Sequence, residues 1–148
     1  MKLIFINGPT GVGKTTLSLR LNEAMPMSYV LDLDKIRIAI GQYKKYRSES
    51  RWLSFDIAFA IAEVCLREKR DFIIGKGIIQ AKGDEFKDNI IDKFIEIGNK
   101  YHAHVYELFL SASKKNTLSR IKHRGYEFKP KHSKQTLDKY YALAQETL

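Results

Sequence analysis

Short apolar runs alternate along the chain with longer stretches in which apolar residues recur every three or four positions. The short runs have the length of strands and end at polar or glycine residues, which predicts strands at 3–6, 29–33, 71–79 and 103–110. The longer stretches predict helices at 14–25, 34–40, 51–69, 84–100, 111–124 and 135–148. This alternation indicates an α/β fold in which helices cover both faces of a parallel sheet of about four strands.

The composition is that of one globular domain spanning residues 1–148. A chain with 44% hydrophobic and 29% charged residues can bury one core, while 148 residues are too few for two full domains. No apolar run reaches the length of a membrane span, and the apolar start shows no signal-peptide cleavage site, so we expect a cytoplasmic protein without a membrane partner. The single cysteine, Cys65, excludes an internal disulfide and is expected to be buried.

The net charge of +9 is concentrated towards the C-terminus. Nine basic residues lie between positions 114 and 139, against two acids, Glu127 and Asp138. The basic residues are Lys114, Lys115, Arg120, Lys122, Arg124, Lys129, Lys131, Lys134 and Lys139. Such a segment suits a polyanion, either nucleotide phosphates or nucleic acid, although a solvated basic surface has the same composition.

The most specific motif is the segment 8–15, GPTGVGKT, which matches G-x-x-x-x-G-K-[ST] between an apolar strand and an amphipathic helix. Its glycines let the backbone turn N–H groups around an oxyanion, and the following helix adds its positive end. Lys14 is predicted to bind the terminal phosphates, and the Thr15 hydroxyl is predicted to be a ligand of Mg²⁺. The residues predicted to bind ATP are those of this segment and the residue after it, namely Gly8, Pro9, Thr10, Gly11, Val12, Gly13, Lys14, Thr15 and Thr16.

A second group of candidate residues follows the second predicted strand. Asp32 and Asp34 are two positions apart, so in an extended strand they share one face at the carboxyl edge of the sheet, near the phosphate loop. We predict that Asp32 positions Mg²⁺ and that Asp34 is the base for an acceptor hydroxyl. Arg37 lies one helical turn further and can bind a substrate anion. A solvated helix start with Asp34 as its N-cap is the simpler alternative.

These residues resemble the P-loop kinases of small molecules and nucleic-acid ends, a group with an AAA-type ATP-binding loop. The Asp-x-Asp at 32–34 is similar to that of shikimate-type kinases, and Asp34-x-x-Arg37 is similar to phage polynucleotide 5′-hydroxyl kinases. The R-x-x-x-R-G-x-x-x-x-P spacing at 120–130 is similar to the lid of the same kinases. The resemblance implies a three-layer P-loop sandwich with a basic helical lid at 113–133. It further implies that Arg120 contacts the nucleotide and that Arg124 is catalytic, stabilising the transferred phosphoryl group.

The chain departs from those kinases at the end of the third predicted strand. Where they have Asp-x-Thr-Asn or a similar segment, this chain has Gly75-Lys76-Gly77. The change removes an expected acid, and it favours a small-molecule acceptor over a polynucleotide end. Lys76 is then either a binding residue for a phosphate or carboxylate of the acceptor, or a surface lysine beside a tight turn.

The sequence therefore predicts an enzyme that moves the γ-phosphoryl group of MgATP to a hydroxyl of a nucleic-acid 5′ end or a small molecule. Lys14, Asp34 and Arg124 are the predicted catalytic residues. A nucleotide-dependent binding or regulatory protein that transfers no phosphoryl group is the alternative. Trp52 is expected to pack in the core rather than to stack on a base.

Overall fold

The computed structural model describes residues 1–9, 11–75 and 85–123. In the described ranges, strands and helices alternate as the hydrophobic pattern predicts. The elements are β1 (Lys2–Asn7), α1 (Lys14–Ala24), β2 (Tyr29–Leu31), α2 (Leu33–Ala39), α3 (Arg47–Arg67), β3 (Phe72–Ile74), α4 (Glu85–Lys100), β4 (His104–Phe109) and α5 (Lys114–His123). The helix predicted at 135–148 lies outside the described residues.

The four described strands form one sheet in the order β2-β3-β1-β4, and every neighbouring pair is parallel. β1 is an inner strand whose Leu3 pairs with Phe72 of β3 on one side and with Val105 of β4 on the other. Because all strands are parallel, their carboxyl ends lie at one edge of the sheet, where α/β proteins bind ligands. The segment 8–15 begins at that edge, directly after β1.

Alternate residues of β1 supply the two faces of the core. Leu3 and Phe5 belong to a cluster with residues of α3 and α4, among them Phe94, which is fully buried. Ile4 and Ile6 belong to a second cluster, against which Leu17 and Leu21 of α1 pack. This period of two residues places α3 and α4 on one face of the sheet and α1 on the other. The predicted three-layer arrangement with a parallel sheet is thus confirmed.

The boundary between β2 and α2 differs from the prediction. β2 ends at Leu31 rather than at Leu33, and the N-cap of α2 is Asp32 rather than Asp34. One carboxylate oxygen of Asp32 accepts hydrogen bonds from the backbone N–H groups of Asp34, at 3.0 Å, and Lys35, at 3.2 Å. These bonds satisfy donors of the first helical turn and fix where the helix begins. Asp32 and Asp34 therefore do not share a strand face, and that prediction is wrong.

Helix α3 begins at Arg47, four residues before the predicted start, and it exposes Trp52. The Trp52 side chain is 49% exposed, so the expectation that it packs in the core is wrong. The buried positions near the helix start are Ser50 and Ser54. Two residues along a helix correspond to a rotation of about 200°, which places Trp52 nearly opposite both serines. Further along α3, Cys65 is half-buried, and burial raises the pKa of its thiol.

A polar contact joins the outer surfaces of α3 and α4. The ammonium group of Lys100 donates a hydrogen bond to Glu63, and the Tyr101 hydroxyl donates to the same carboxylate oxygen at 3.1 Å. The bond from Lys100 is the main cause that lowers the pKa of Glu63, and the same bond raises the pKa of Lys100. Lys100 is exposed and Glu63 is half-buried at the surface, where water screens the pair, so its stabilisation is small.

We expect the stabilisation from Glu63 to depend on pH in one direction. Because its pKa is lowered in the folded chain, the contribution is present above about pH 4.5, the ordinary value for glutamate, and disappears as pH falls through the folded pKa. Glu63→Gln should therefore be slightly less stable than wild type near neutral pH, and the difference should vanish in acid. Urea unfolding of both proteins across that pH range measures this. A difference that persists in acid would contradict the prediction.

No helix in the described ranges is long and apolar enough to cross a membrane.

Candidate functional site

The segment after β1 folds as a tight loop whose glycines take conformations that other residues avoid. Gly8, Gly11 and Gly13 have φ values of 137°, 84° and 113°. Gly8 also has no room for a side chain, because a Cβ atom there would lie 2.3 Å from the carbonyl oxygen of Leu110. The loop is thus fitted against the end of β4 and needs glycine at its first position. Thr10 of the same loop lies outside the described residues.

The side chain of Lys14 forms hydrogen bonds with the backbone of this loop. Its ammonium nitrogen donates to the carbonyl oxygens of Gly8 and Pro9, both at 2.8 Å. Lys14 is also the first residue of α1, whose N-cap, Gly13, provides no side-chain hydrogen bond. The first N–H groups of α1 and a lysine ammonium therefore meet at one loop, which is the chemistry of a phosphate-binding site.

A contact that the sequence analysis missed holds α1 against the end of β3. Ser18 of α1 is almost completely buried, and its hydroxyl donates to the carbonyl oxygen of Lys14 at 2.8 Å. A Cβ atom on Gly75, directly after β3, would lie 2.1 Å from that hydroxyl oxygen. The glycine inside the predicted strand 71–79 was the available signal, because a strand glycine often marks a close backbone approach.

We expect Gly75→Ala to destabilise the fold by about 1–3 kcal/mol, because the added methyl group overlaps Ser18 in a packed site. Gly41→Ala is the matched control, since nothing lies within 4 Å of a Cβ atom there, and its effect should stay within about 0.5 kcal/mol. Urea unfolding measures both. Ser18→Ala in the Gly75→Ala background should recover part of the loss, and equal stability of the two glycine variants would contradict the contact.

Two further predicted residues follow Lys14 on the first turn of α1. Thr15 and Thr16 are both exposed. The hydroxyl of Thr15 and the carboxylate of Asp32 are hard oxygen donors of the kind that Mg²⁺ takes, and Mg²⁺ commonly fills its other positions with phosphate oxygens and water. The two donors thus fit the predicted ion in chemical type.

The acidic and basic residues predicted after β2 lie on α2. Asp34 is exposed in the first turn, and Arg37 is half-buried in the last turn. Asp32 uses one carboxylate oxygen for the cap, and its other oxygen lies 4.0 Å from the ammonium nitrogen of Lys35. α2 starts at the same edge of the sheet as the phosphate loop, with β3 between their two strands.

Arg120 of α5 contacts the phosphate loop directly. One of its terminal nitrogens donates to the carbonyl oxygen of Val12 at 3.1 Å. Upstream of α5, the backbone N–H of Leu110 donates to the carbonyl oxygen of Asn7 at 2.8 Å, so the chain leaves β4 beside the base of the loop. The structure thus brings together Lys14 and Arg120, which are far apart in sequence. Arg124 and Lys76, two further predicted basic residues of the site, lie outside the described residues.

Asn7 is a second residue that the sequence analysis missed. Its side chain is 5% exposed, and its amide donates to a carboxylate oxygen of Glu107 on β4 at 2.5 Å. This bond joins the last residue of β1 to the neighbouring strand immediately before the loop begins. Asn7 therefore orients the loop base, and the polar residue at the end of an apolar strand was the signal for it.

The parallel sheet, the phosphate loop after an inner strand and the adjoining arginine define a P-loop protein. The family model described as "AAA domain" matches residues 3–146, so the chain belongs to the AAA domain family of P-loop proteins.

Solved structures agree on the fold. A chain of the Pnkp1/Rnl/Hen1 RNA repair complex superposes with a TM-score of 0.70 at 14% identity, covering 99% of this chain and 46% of that one. A gluconokinase from Sinorhizobium meliloti 1021 superposes with a TM-score of 0.59 at 19% identity, covering 93% of this chain and 73% of that one. At these identities the likeness shows the shared fold and not a shared substrate.

One curated protein is similar over part of the sequence. A cyanidin 3-O-glucoside 7-O-glucosyltransferase (acyl-glucose) from Delphinium grandiflorum is 29% identical over 82 residues, which is 55% of this chain. The chain spans only 16% of that enzyme's length. A match of this extent carries no family assignment and no activity.

Proposed function

We propose that this protein is a kinase that transfers the γ-phosphoryl group of ATP, with Mg²⁺, to an acceptor hydroxyl. The observation that supports this most is the hydrogen bond from Arg120 to Val12, because it joins a guanidinium group to the same loop that the ammonium group of Lys14 contacts. Phosphoryl transfer depends mainly on positioning and on stabilising charge, and two cations at one phosphate loop provide for both.

The residues at the loop suggest how the nucleotide is held. Backbone N–H groups of the loop and the start of α1 bind the phosphates, and Lys14 moves from the loop carbonyls to the terminal phosphates when ATP enters. Thr15 and Asp32 hold Mg²⁺, which when bound offsets phosphate charge. Arg120, on α5, contacts the loop at Val12.

The transfer itself needs an acceptor and a base on the other side of the γ-phosphate. In the proposed step, the acceptor oxygen forms a bond to the γ-phosphorus while the bond to the bridging oxygen breaks, and ADP leaves with the electron pair. Asp34 takes the hydroxyl proton, Arg37 positions the acceptor, and Arg124 stabilises the moving group. Lys76 is proposed as a further contact to an acidic group of the acceptor.

Two acceptor classes fit the residues. The basic excess and the likeness to a chain of an RNA repair complex favour a nucleic-acid 5′ end. The likeness to a gluconokinase and the missing acid at Lys76 favour a small hydroxylated molecule.

Turnover with γ-labelled ATP tests the proposal directly. Purified protein is incubated with Mg²⁺ and a panel of acceptors comprising a 5′-hydroxyl oligonucleotide, nucleosides and gluconate. We expect label on at least one acceptor, and loss of that label in Asp34→Asn. Slow ATP hydrolysis that Asp34→Asn leaves unchanged, with label on no acceptor, would instead indicate a nucleotide-dependent binding protein that does not transfer phosphate.

A further inference from the structure

A cavity of about 350 Å³ lies beside α2 and the start of α3. Its walls are formed by three arginines, a serine and the tryptophan that the sequence pattern assigned to the core. The residues are Arg37, Arg47, Ser48, Arg51 and Trp52. Only Arg37 among them was predicted to bind substrate, so α3 contributes a wall that no motif in the sequence indicates.

The positive charge of the side chains that line this cavity suits a bound anion. Arginine keeps its positive charge under all ordinary conditions, and Arg37 and Arg47 bring two guanidinium groups of like charge to one small cavity. Within the part of the chain that the structure describes, Arg37 and Arg47 form no salt bridge. A phosphate group is a suitable ligand, because guanidinium groups bind it with paired hydrogen bonds.

The walls are held in place by hydrogen bonds within the turn that joins α2 to α3. Ser50 is 2% exposed, and its hydroxyl contacts the carbonyl oxygens of Tyr43 and Arg47, at 3.2 and 3.3 Å. The backbone N–H of Ile40 donates to the carbonyl oxygen of Arg37 at 3.2 Å. Arg47 and Arg51 are four residues apart on α3 and therefore lie on the same side of the helix.

Trp52 adds a second kind of recognition to the same cavity. Its ring is about half exposed, although indole rings are usually well buried. A flat aromatic face beside guanidinium groups suits a ligand that combines a planar ring with a phosphate, because bases stack on aromatic side chains. A sugar acid such as gluconate has the negative charge but lacks the planar ring.

We propose that this cavity is the acceptor site and that it binds a nucleotide unit of a nucleic-acid strand. The arginines bind a backbone phosphate, and a base stacks on Trp52. The inference rests on the proposed function for its acceptor role, whereas the binding of a base and a phosphate can be measured without any transfer.

The fluorescence of Trp52 reports on the cavity directly, because this is the only tryptophan in the chain. The protein is saturated with Mg²⁺ and a non-hydrolysable ATP analogue, and a short 5′-hydroxyl oligonucleotide is then added. We expect quenching that saturates with the oligonucleotide. A sugar–phosphate strand of the same length without bases should bind more weakly and leave the fluorescence almost unchanged. Equal binding and equal quenching by both strands would overturn the stacking role.

Variants separate the two contacts, with binding followed by the anisotropy of a labelled oligonucleotide. Trp52→Ala should raise the Kd about 5- to 150-fold, the equivalent of one lost stacking contact, and Trp52→Phe should recover part of the affinity. Leu53→Ala is the matched control, since Leu53 is also about half exposed but does not line the cavity. A similar change in Kd for Trp52→Ala and Leu53→Ala would contradict the inference.

The phosphate contact has a separate signature. Arg47→Gln should weaken binding of both strands and reduce the slope of log Kd against log salt by about 0.7, the value for one phosphate contact on a single strand. Arg67→Gln removes the same charge from the far end of the same helix and should leave the slope unchanged. Identical slopes for the two variants would overturn the phosphate contact.

The outcomes distinguish this inference from the proposed function. Quenching by the oligonucleotide without transfer of label would support the nucleotide-binding cavity and count against the kinase activity. Label on gluconate, with no quenching by any strand, would support the kinase activity and overturn the cavity assignment.

Discussion

Asp34→Asn should lower the rate of phosphoryl transfer by about 10²- to 10⁴-fold, the contribution typical of a positioned general base. The substitution keeps the shape of the side chain and removes its ability to take a proton from the acceptor hydroxyl. Asp34 is exposed in the first turn of α2, and the cap of that helix is Asp32, so the fold should be little affected. ATP binding should therefore stay close to wild type.

Single-turnover transfer with γ-labelled ATP and titration with a fluorescent ATP analogue measure the two quantities. Asp56→Asn is the matched control, because Asp56 is exposed on α3 and belongs to no part of the proposed site. If Asp34→Asn weakens ATP binding as much as it slows transfer, Asp34 acts on the nucleotide and is not the base. If neither value changes, the base must be sought elsewhere.

Lys14→Met should lower the rate of transfer by about 10²- to 10³-fold and weaken ATP binding as well, because in the proposed function it removes a donor to the charged phosphates. The substitution also removes the donor to the carbonyl oxygens of Gly8 and Pro9, so thermal unfolding must be recorded beside activity. Lys14→Arg keeps the charge but replaces a compact ammonium group by a planar one, and it should stay strongly impaired.

Lys69→Met is the control for the loss of a lysine, because Lys69 is exposed after the end of α3. It should have wild-type turnover and ATP affinity. Transfer by Lys14→Met at the wild-type rate, in a protein that unfolds at the wild-type temperature, would contradict the phosphate-binding role of the lysine.

The hydrophobic pattern was sufficient for the fold but not for all element boundaries. Short apolar runs that alternate with longer stretches of helical spacing predict four parallel strands with helices on both faces of the sheet. The structure confirms this arrangement. The errors occurred where a side chain bonds to the backbone. The carboxylate of Asp32 accepts hydrogen bonds from backbone N–H groups of α2, so the helix begins there and β2 ends before it. A pattern of apolar residues carries no information on such bonds between a side chain and the backbone.

The candidate site was predictable where its residues are close in sequence. The segment 8–15 is recognisable because its conformation and its chemistry are both local. The contacts of Ser18 with Gly75 and of Asn7 with Glu107 depend on which strands are neighbours, and the sequence alone does not give strand order. Trp52 was misassigned because its spacing to Phe55 fits a buried stripe, whereas Ser50 and Ser54 define the buried side.

The pairing of β1 has a consequence for how the protein folds. β1 is an inner strand, yet its partners are distant along the chain, and the bond between Asn7 and Glu107 spans 100 residues. Contacts of such high sequence separation make folding slow, because the entropy of a long loop is lost before the contact is gained. During synthesis both edges of the apolar β1 remain unpaired until β3 and β4 have been made. We therefore expect the phosphate loop to become ordered only after β1 has paired with both neighbours, so that a bound nucleotide would stabilise chains whose sheet is already complete.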